Sequence, residues 1–183
     1  MPTKSSVFIA TSLDGYIARA DGNLDWLDRA NANVPPDEDF GYNDFIASVD
    51  VLVMGRNTFE KALSFGDWPY GSKPVVVLSR GSVSIPKAIA DTVSASSEPP
   101  RALVERLAAS GAKHLYIDGG LVIQSFLREG LIDEITLTLI PVLLGSGKPL
   151  FGNLDQDIEL THVATKAYEV GFVQSKYCVA KRA

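Results

Sequence analysis

The chain predicts an α/β fold, a mainly parallel central sheet with helices on both faces and a C-terminal antiparallel hairpin. Three observations carry that expectation. Val51-Leu52-Val53-Met54, Val75-Val76-Val77-Leu78 and His114-Leu115-Tyr116-Ile117 are short apolar runs without alternation, the pattern of strands covered on both faces. Segments of helical spacing separate these runs. The last third then changes character, with two β-rich tracts, Ile158 to Ala167 and Phe172 to Ala180, parted by Glu169-Val170-Gly171.

In chain order, Val7-Phe8-Ile9-Ala10 reads as a buried first strand, closed by the turn Ser12-Leu13-Asp14-Gly15. The segment from Asp14 to Pro36 is rich in Asp, Asn, Gly and Pro and reads as a long loop with at most one helical turn. Loops of that length in a compact domain are commonly lids or binding loops, so Trp26 is expected to pin a loop that closes over a site. From Asp37 the pattern turns helical, with Phe40, Phe45, Ile46 and Val49 on one face; Asp37, Glu38 and Asp39 stand where carboxylates complement the helix dipole.

Thr58 to Leu63 supplies a short crossover helix. Pro99-Pro100 opens another, carrying Leu103, Val104, Leu107 and Ala108 on one side, with Gly111 at its C-terminal cap. Val122, Phe126 and Leu127 mark a further helix that Gly130 stops. Ile135-Thr136-Leu137-Thr138-Leu139 alternates strictly, which predicts a more exposed strand with one apolar face. That face, beside the glycine turn Leu144 to Pro149, suggests a homodimer. Gly145-Ser146-Gly147-Lys148 reads as a turn rather than a phosphate loop, because no helix pattern follows it.

A length of 183 residues suits a single domain over 1–183, and 46% hydrophobic with 21% charged residues describes a globular chain. No apolar run approaches the roughly 20 residues of a spanning helix, and the N-terminus lacks an apolar signal region, so a cytoplasmic protein without membrane partner is expected. The single cysteine, Cys178, permits no internal disulfide, and with only His114 and His162 beside it no metal site is expected. A net charge of −5 argues against nucleic acid.

The candidate site lies at strand ends. Tyr116-Ile117-Asp118-Gly119-Gly120 breaks an apolar run into two glycines and then opens a helix, which lets backbone amides approach a negative group closely. Taken alone, the pair reads first as a tight turn where strand meets helix. Val53-Met54-Gly55-Arg56-Asn57-Thr58 and Val77-Leu78-Ser79-Arg80 each finish a buried run with an arginine and a hydroxyl, a donor set for phosphate. Three such turns past consecutive buried strands suggest a dinucleotide across the carboxyl ends of the sheet.

Six blocks in collinear order, over about residues 5 to 152, carry a resemblance. They are Ile9 to Ala18, Asp21-Gly22-Asn23-Leu24-Asp25-Trp26, Val53 to Glu60, Val76 to Arg80, Ile117-Asp118-Gly119-Gly120 and Leu131-Ile132-Asp133-Glu134. Together the chain resembles the dihydrofolate reductase superfamily. Ser12-Leu13-Asp14-Gly15, and Asp133-Glu134 leading to Ile140 to Gly145, are similar to the reductase domain of the bacterial bifunctional riboflavin-biosynthesis deaminase/reductase and its stand-alone relatives.

The resemblance implies an eight-stranded sheet with NADPH across its strand ends. Gly55, Arg56 and Thr58 would hold the cofactor phosphates, and Leu78, Ser79 and Arg80 the adenosine end, with Arg80 at the 2′-phosphate. Gly119 and Gly120 would meet the pyrophosphate by backbone, while Ala10 and Ile17 would flank the nicotinamide. Folate reductases place an acidic residue early in the helix after the tryptophan loop. A gapless count back from Met54-Gly55-Arg56 brings Asp39 there, although Phe40-Gly41-Tyr42-Asn43 departs from the folate pattern. Asp14 and Asp39 are thus the candidates to orient the substrate ring or assist protonation.

The expected activity is NADPH-dependent reduction of a pyrimidine ribosylamino phosphate, or of a related C=N substrate. A dihydrofolate or pterin reductase and a non-catalytic NADP(H)-binding protein are the alternatives.

Overall fold

The computed structural model describes residues 3–180. The chain begins with β1 (Lys4–Ser12), β2 (Tyr16–Ala18), α1 (Asp25–Asn31) and α2 (Tyr42–Ser48). Then come β3 (Val51–Gly55), α3 (Arg56–Leu63), β4 (Val75–Leu78), a 3-10 turn at Lys87–Ile89 and β5 (Val93–Ser96). The chain continues through α4 (Pro100–Ala109), β6 (His114–Asp118), α5 (Gly120–Arg128), β7 (Glu134–Ile140), β8 (Lys148–Pro149), β9 (Leu160–Ala167) and β10 (Val173–Val179).

Eight strands form one sheet in the order β5-β4-β3-β6-β1-β7-β10-β9. All pairings from β5 to β7 are parallel, and β10 then runs antiparallel to both β7 and β9. β2 and β8 form a separate antiparallel pair. The fold class expected from the sequence is the one observed.

Strand alternation sends successive side chains to opposite faces, and each face is closed by different helices. On one, Leu103 and Leu107 of α4 and Ile123 and Phe126 of α5 pack with Val7, Val53, Leu115, Ile117 and Ile135. On the other, Phe59 of α3 and Phe45 of α2 pack with Leu52, Met54, Val77 and Tyr116. A third cluster joins Trp26 of α1 to Ile140 and Phe172.

Gly111 and Gly130 end α4 and α5 as expected. Both adopt left-handed φ, at 95° and 66°. The following residues, Ala112 and Leu131, donate their N–H groups back to Leu107 and Phe126, which satisfies carbonyls that a helix end leaves open. No helix among the described residues is long and apolar enough to cross a membrane.

Three local expectations are corrected. The segment from Asp14 to Pro36 is not one long loop, because it holds β2 and the two-turn α1. Trp26 therefore sits on a helix with 2% of its surface exposed, in the core cluster with Ile140 and Phe172 rather than on a loop. The alternating β7 is interior, between β1 and β10, and its threonines are buried, Thr136 at 9% and Thr138 at 5% exposed. Its polar face marks the floor of a groove, not solvent. β5 was not expected at all; its Val-Ser-Ala-Ser sequence buries only Val93 fully, as suits a short edge strand.

Candidate active site

The three turns singled out from the sequence come together. β4, β3 and β6 are neighbours, with Gly55 in register with Leu78 and Met54 with Asp118. The turns at Gly55 to Thr58, Leu78 to Arg80 and Gly119-Gly120 thus leave the same edge of three adjacent parallel strands. Thr58 Oγ1 fills the space that a side chain on Gly119 would need, and Gly55 N is 3.8 Å from the same point. Gly119 has φ 90°, a conformation that L side chains rarely adopt.

A Cβ on Gly120 would lie 3.0 Å from both Ile17 Cδ1 and the Pro149 carbonyl, so the β2–β8 pair presses directly on the glycine turn. Arg56 Nη1 lies 3.8 Å and Ser79 Oγ 4.0 Å from the place of a Cβ on Gly81, bringing the second turn against the first. Ser79 Oγ accepts the Gly81 N–H at 3.1 Å. Arg56 Nε donates to Glu60 at 2.8 Å one helical turn on, and Arg80 is exposed. Helices α3 and α5 begin here with no side chain capping their first-turn amides, the arrangement in which helix N-termini meet anions.

Beside this edge, on the α2 face of the sheet, a cavity of about 180 Å³ is lined by Phe8, Ala10, Asp39, Phe40, Tyr42 and Thr138, among others. A groove of about 410 Å³ adjoins it, sharing Phe8 and Phe40 and continuing past Gln174, Lys176 and His114. Trp26 packs behind the smaller cavity through Ile140 and Phe172 rather than lining it.

Of the two carboxylates expected to serve chemistry, Asp14 accepts the Ser12 hydroxyl at 2.5 Å and the amides of Leu144 and Gly145 at 3.1 and 2.7 Å. The Ser12 bond, with the backbone amides adding to it, holds its carboxyl below the usual carboxylate range. Asp39 accepts the amides of Asn43 and Gly41, each at 2.9 Å, and these donors likewise lower its carboxyl. Asp39 faces the small cavity while serving as a backbone cap.

A third carboxylate behaves in the opposite way. Asp118 ends β6 immediately before the glycines, and burial pushes its carboxyl up to about 6, against one stabilising bond from the Gly119 amide at 2.8 Å. Alternation along β6 puts it on the same face as Tyr116, and Tyr42, Tyr70 and Tyr116 feel its charge. Burial, with that charge adding to it, raises the Tyr42 phenol to about 12. In sequence Asp118 is marked only by its place before Gly119-Gly120, and its desolvation is a property of the folded neighbours.

A parallel sheet whose strand-end turns meet at one edge, a cavity beside them and an antiparallel hairpin completing eight strands define a dihydrofolate reductase-like fold. The chain belongs to the family of the RibD C-terminal domain, whose profile matches residues 4–174. It is 37% identical over 171 residues to the uncharacterised protein YwjB of Bacillus subtilis (strain 168), covering 92% of this chain and 94% of that one. Among solved structures, a putative riboflavin biosynthesis protein from Shewanella sp. PV-4 is 42% identical, with a TM-score of 0.91 over 97% of this chain and 99% of the other. The Thermotoga maritima diaminohydroxyphosphoribosylaminopyrimidine deaminase/5-amino-6-(5-phosphoribosylamino)uracil reductase shares the fold at 13% identity and a TM-score of 0.74. That similarity covers 98% of this chain and 57% of that one.

Proposed function

We propose that the chain is an NADPH-dependent reductase acting on the C=N bond of a small heterocyclic acceptor, with 5-amino-6-(5-phosphoribosylamino)uracil or a close relative as substrate. The observation that carries this reading is the convergence of the Gly55–Thr58, Leu78–Arg80 and Gly119–Gly120 turns on one edge of the sheet. The edge suits a pyrophosphate because α3 and α5 begin there with no side chain capping their first-turn amides. Family membership and the Shewanella relative support the riboflavin-type reaction class.

When bound, the nicotinamide supplies the hydride. The chain's residues do the rest. Arg80 would meet the 2′-phosphate, Arg56 and Thr58 the phosphates nearer the helix, and Ala10 and Ile17 would flank the nicotinamide. Phe8 and Phe40 wall the cavity that would take the acceptor ring. Reduction of C=N also needs a proton on nitrogen. Asp14 and Asp39 are held ionised by their hydrogen-bond donors, so neither has a proton to give at neutral pH, and Asp118, raised by burial, lines neither cavity. The proton on nitrogen is therefore left to solvent. The edge strand β9, exposed along its whole length, favours a homodimer in which a second copy covers it.

The test is titration with NADPH and NADH, followed by NADPH oxidation with the pyrimidine and, separately, with dihydrofolate. NADPH uptake with oxidation by the pyrimidine is the expected result. Oxidation by dihydrofolate alone would make it a folate reductase, uptake without oxidation a binding protein, and no uptake would end the reading.

A further inference from the structure

Gln174 ties together two residues of the cavity that lie far apart in sequence. Its Nε2 is 3.1 Å from the Phe40 carbonyl and 3.0 Å from Thr138 Oγ1. The Phe40 carbonyl can only accept, so the amide must turn its nitrogen toward it, and both Nε2 hydrogens are then used, one on each oxygen. Gln174 Oε1 faces the other way, 3.5 Å from the Tyr168 hydroxyl.

The consequence falls on Thr138. Its oxygen accepts from Gln174, so its own hydrogen must point elsewhere, and no described residue accepts it. The side chain is 5% exposed and lines the small cavity. A buried hydroxyl with a committed oxygen and an uncommitted hydrogen is available as a donor to a ligand in the cavity it lines, because leaving that hydrogen unpaired when the cavity fills is costly.

We infer that Thr138 is a specificity residue that donates a hydrogen bond to a ring carbonyl or ring nitrogen of the acceptor, and that Gln174 is the positioning residue that sets its polarity. The inference rests on the reading above for the ring's presence in this cavity. Phe40 takes part through its backbone, which has a positive φ of 56° and is held at its N–H by Glu38 at 2.8 Å and at its carbonyl by Gln174. The ring wall and the hydroxyl donor are thus fixed by one amide group. Such a site favours a ring edge that accepts and rejects an amino group presented at the same place.

Thr138→Val, Thr138→Ser and Gln174→Glu separate this role from packing. The readouts are NADPH affinity, binding of 5-amino-6-(5-phosphoribosylamino)uracil to the NADPH-saturated protein, and KM against kcat. Thr138→Val is expected to weaken pyrimidine binding by about tenfold or more, with NADPH affinity unchanged and kcat changed less than KM. Thr138→Ser should restore most of the loss. Gln174→Glu, which can no longer donate to Phe40 and Thr138 together, should weaken the pyrimidine as Thr138→Val does. Unchanged pyrimidine affinity in Thr138→Val, or no rescue by serine, overturns the inference while NADPH binding leaves the cofactor reading standing. Absence of pyrimidine binding in the unaltered protein overturns it too, and loss of NADPH uptake there defeats the wider reading instead.

Discussion

Thr58 Oγ1 lies where a side chain on Gly119 would have to go. One residue opens α3 and the other caps α5, so this contact holds two neighbouring strand ends at a spacing set by the absence of a single methyl group. Gly119→Ala is expected to destabilise the fold by about 1–3 kcal/mol from its φ of 90° alone, with the overlap on Thr58 adding to it. Thr58→Ala in the same chain should recover the overlap and leave the backbone strain. Denaturant midpoints of the two single variants and the double variant check this; simple additivity would mean that the two residues are not coupled.

Arg80 is exposed beside the Ser79–Gly81 turn, with Arg56 Nη1 reaching toward that turn from α3. If it meets a 2′-phosphate, Arg80→Ala should weaken NADPH by about tenfold to a hundredfold and NADH hardly at all. Arg56→Ala, acting on phosphates that both cofactors share, should weaken the two alike. Equal losses of NADPH and NADH in Arg80→Ala would remove its proposed role.

Much of this architecture was legible because buried parallel strands need apolar side chains on both faces. Val51 to Met54, Val75 to Leu78 and Leu115 to Ile117 are such runs, and their ends located the edge where the turns meet. The helix stops at Gly111 and Gly130 were readable because a left-handed residue there is nearly always glycine. Elsewhere the signal was ambiguous. α1 has no side-chain cap, so nothing local set it apart from a polar loop. The alternation of β7 is the same whether its threonines face water or the floor of a groove, and only β10, arriving from the end of the chain, decides between them. Asp118 and Gln174 share that difficulty, since the burial of one and the two partners of the other are supplied by residues remote in sequence.

Asp14 joins the turn after β1 to the loop after β7 through the Leu144 and Gly145 amides. Its carboxyl lies lower in the folded chain than in the unfolded one, so the unfolded chain binds the proton first. The stabilisation it gives is present above the ordinary carboxylate range and is lost as pH falls through its lowered value. Asp14→Ala should loosen the Leu144–Gly145 backbone, seen as faster amide exchange at those two residues, and should flatten part of the acid limb of the stability curve. Unchanged exchange would show that the loop is held by other contacts.

Asp118 has the reverse sign. Its carboxyl is raised to about 6 from 3.8, so the folded chain keeps a proton that the unfolded chain has released. The protonated form favours folding below the unfolded value, that advantage is lost as pH rises from about 4 to about 6, and above that the ionised group is a constant cost. Asp118→Asn, which keeps the shape and cannot ionise, should therefore raise stability near neutral pH while leaving it nearly unchanged at pH 4. Denaturant midpoints at pH 4 and pH 7 check this; an Asn variant no more stable than the parent at pH 7 would show that ionisation of Asp118 costs the folded chain nothing.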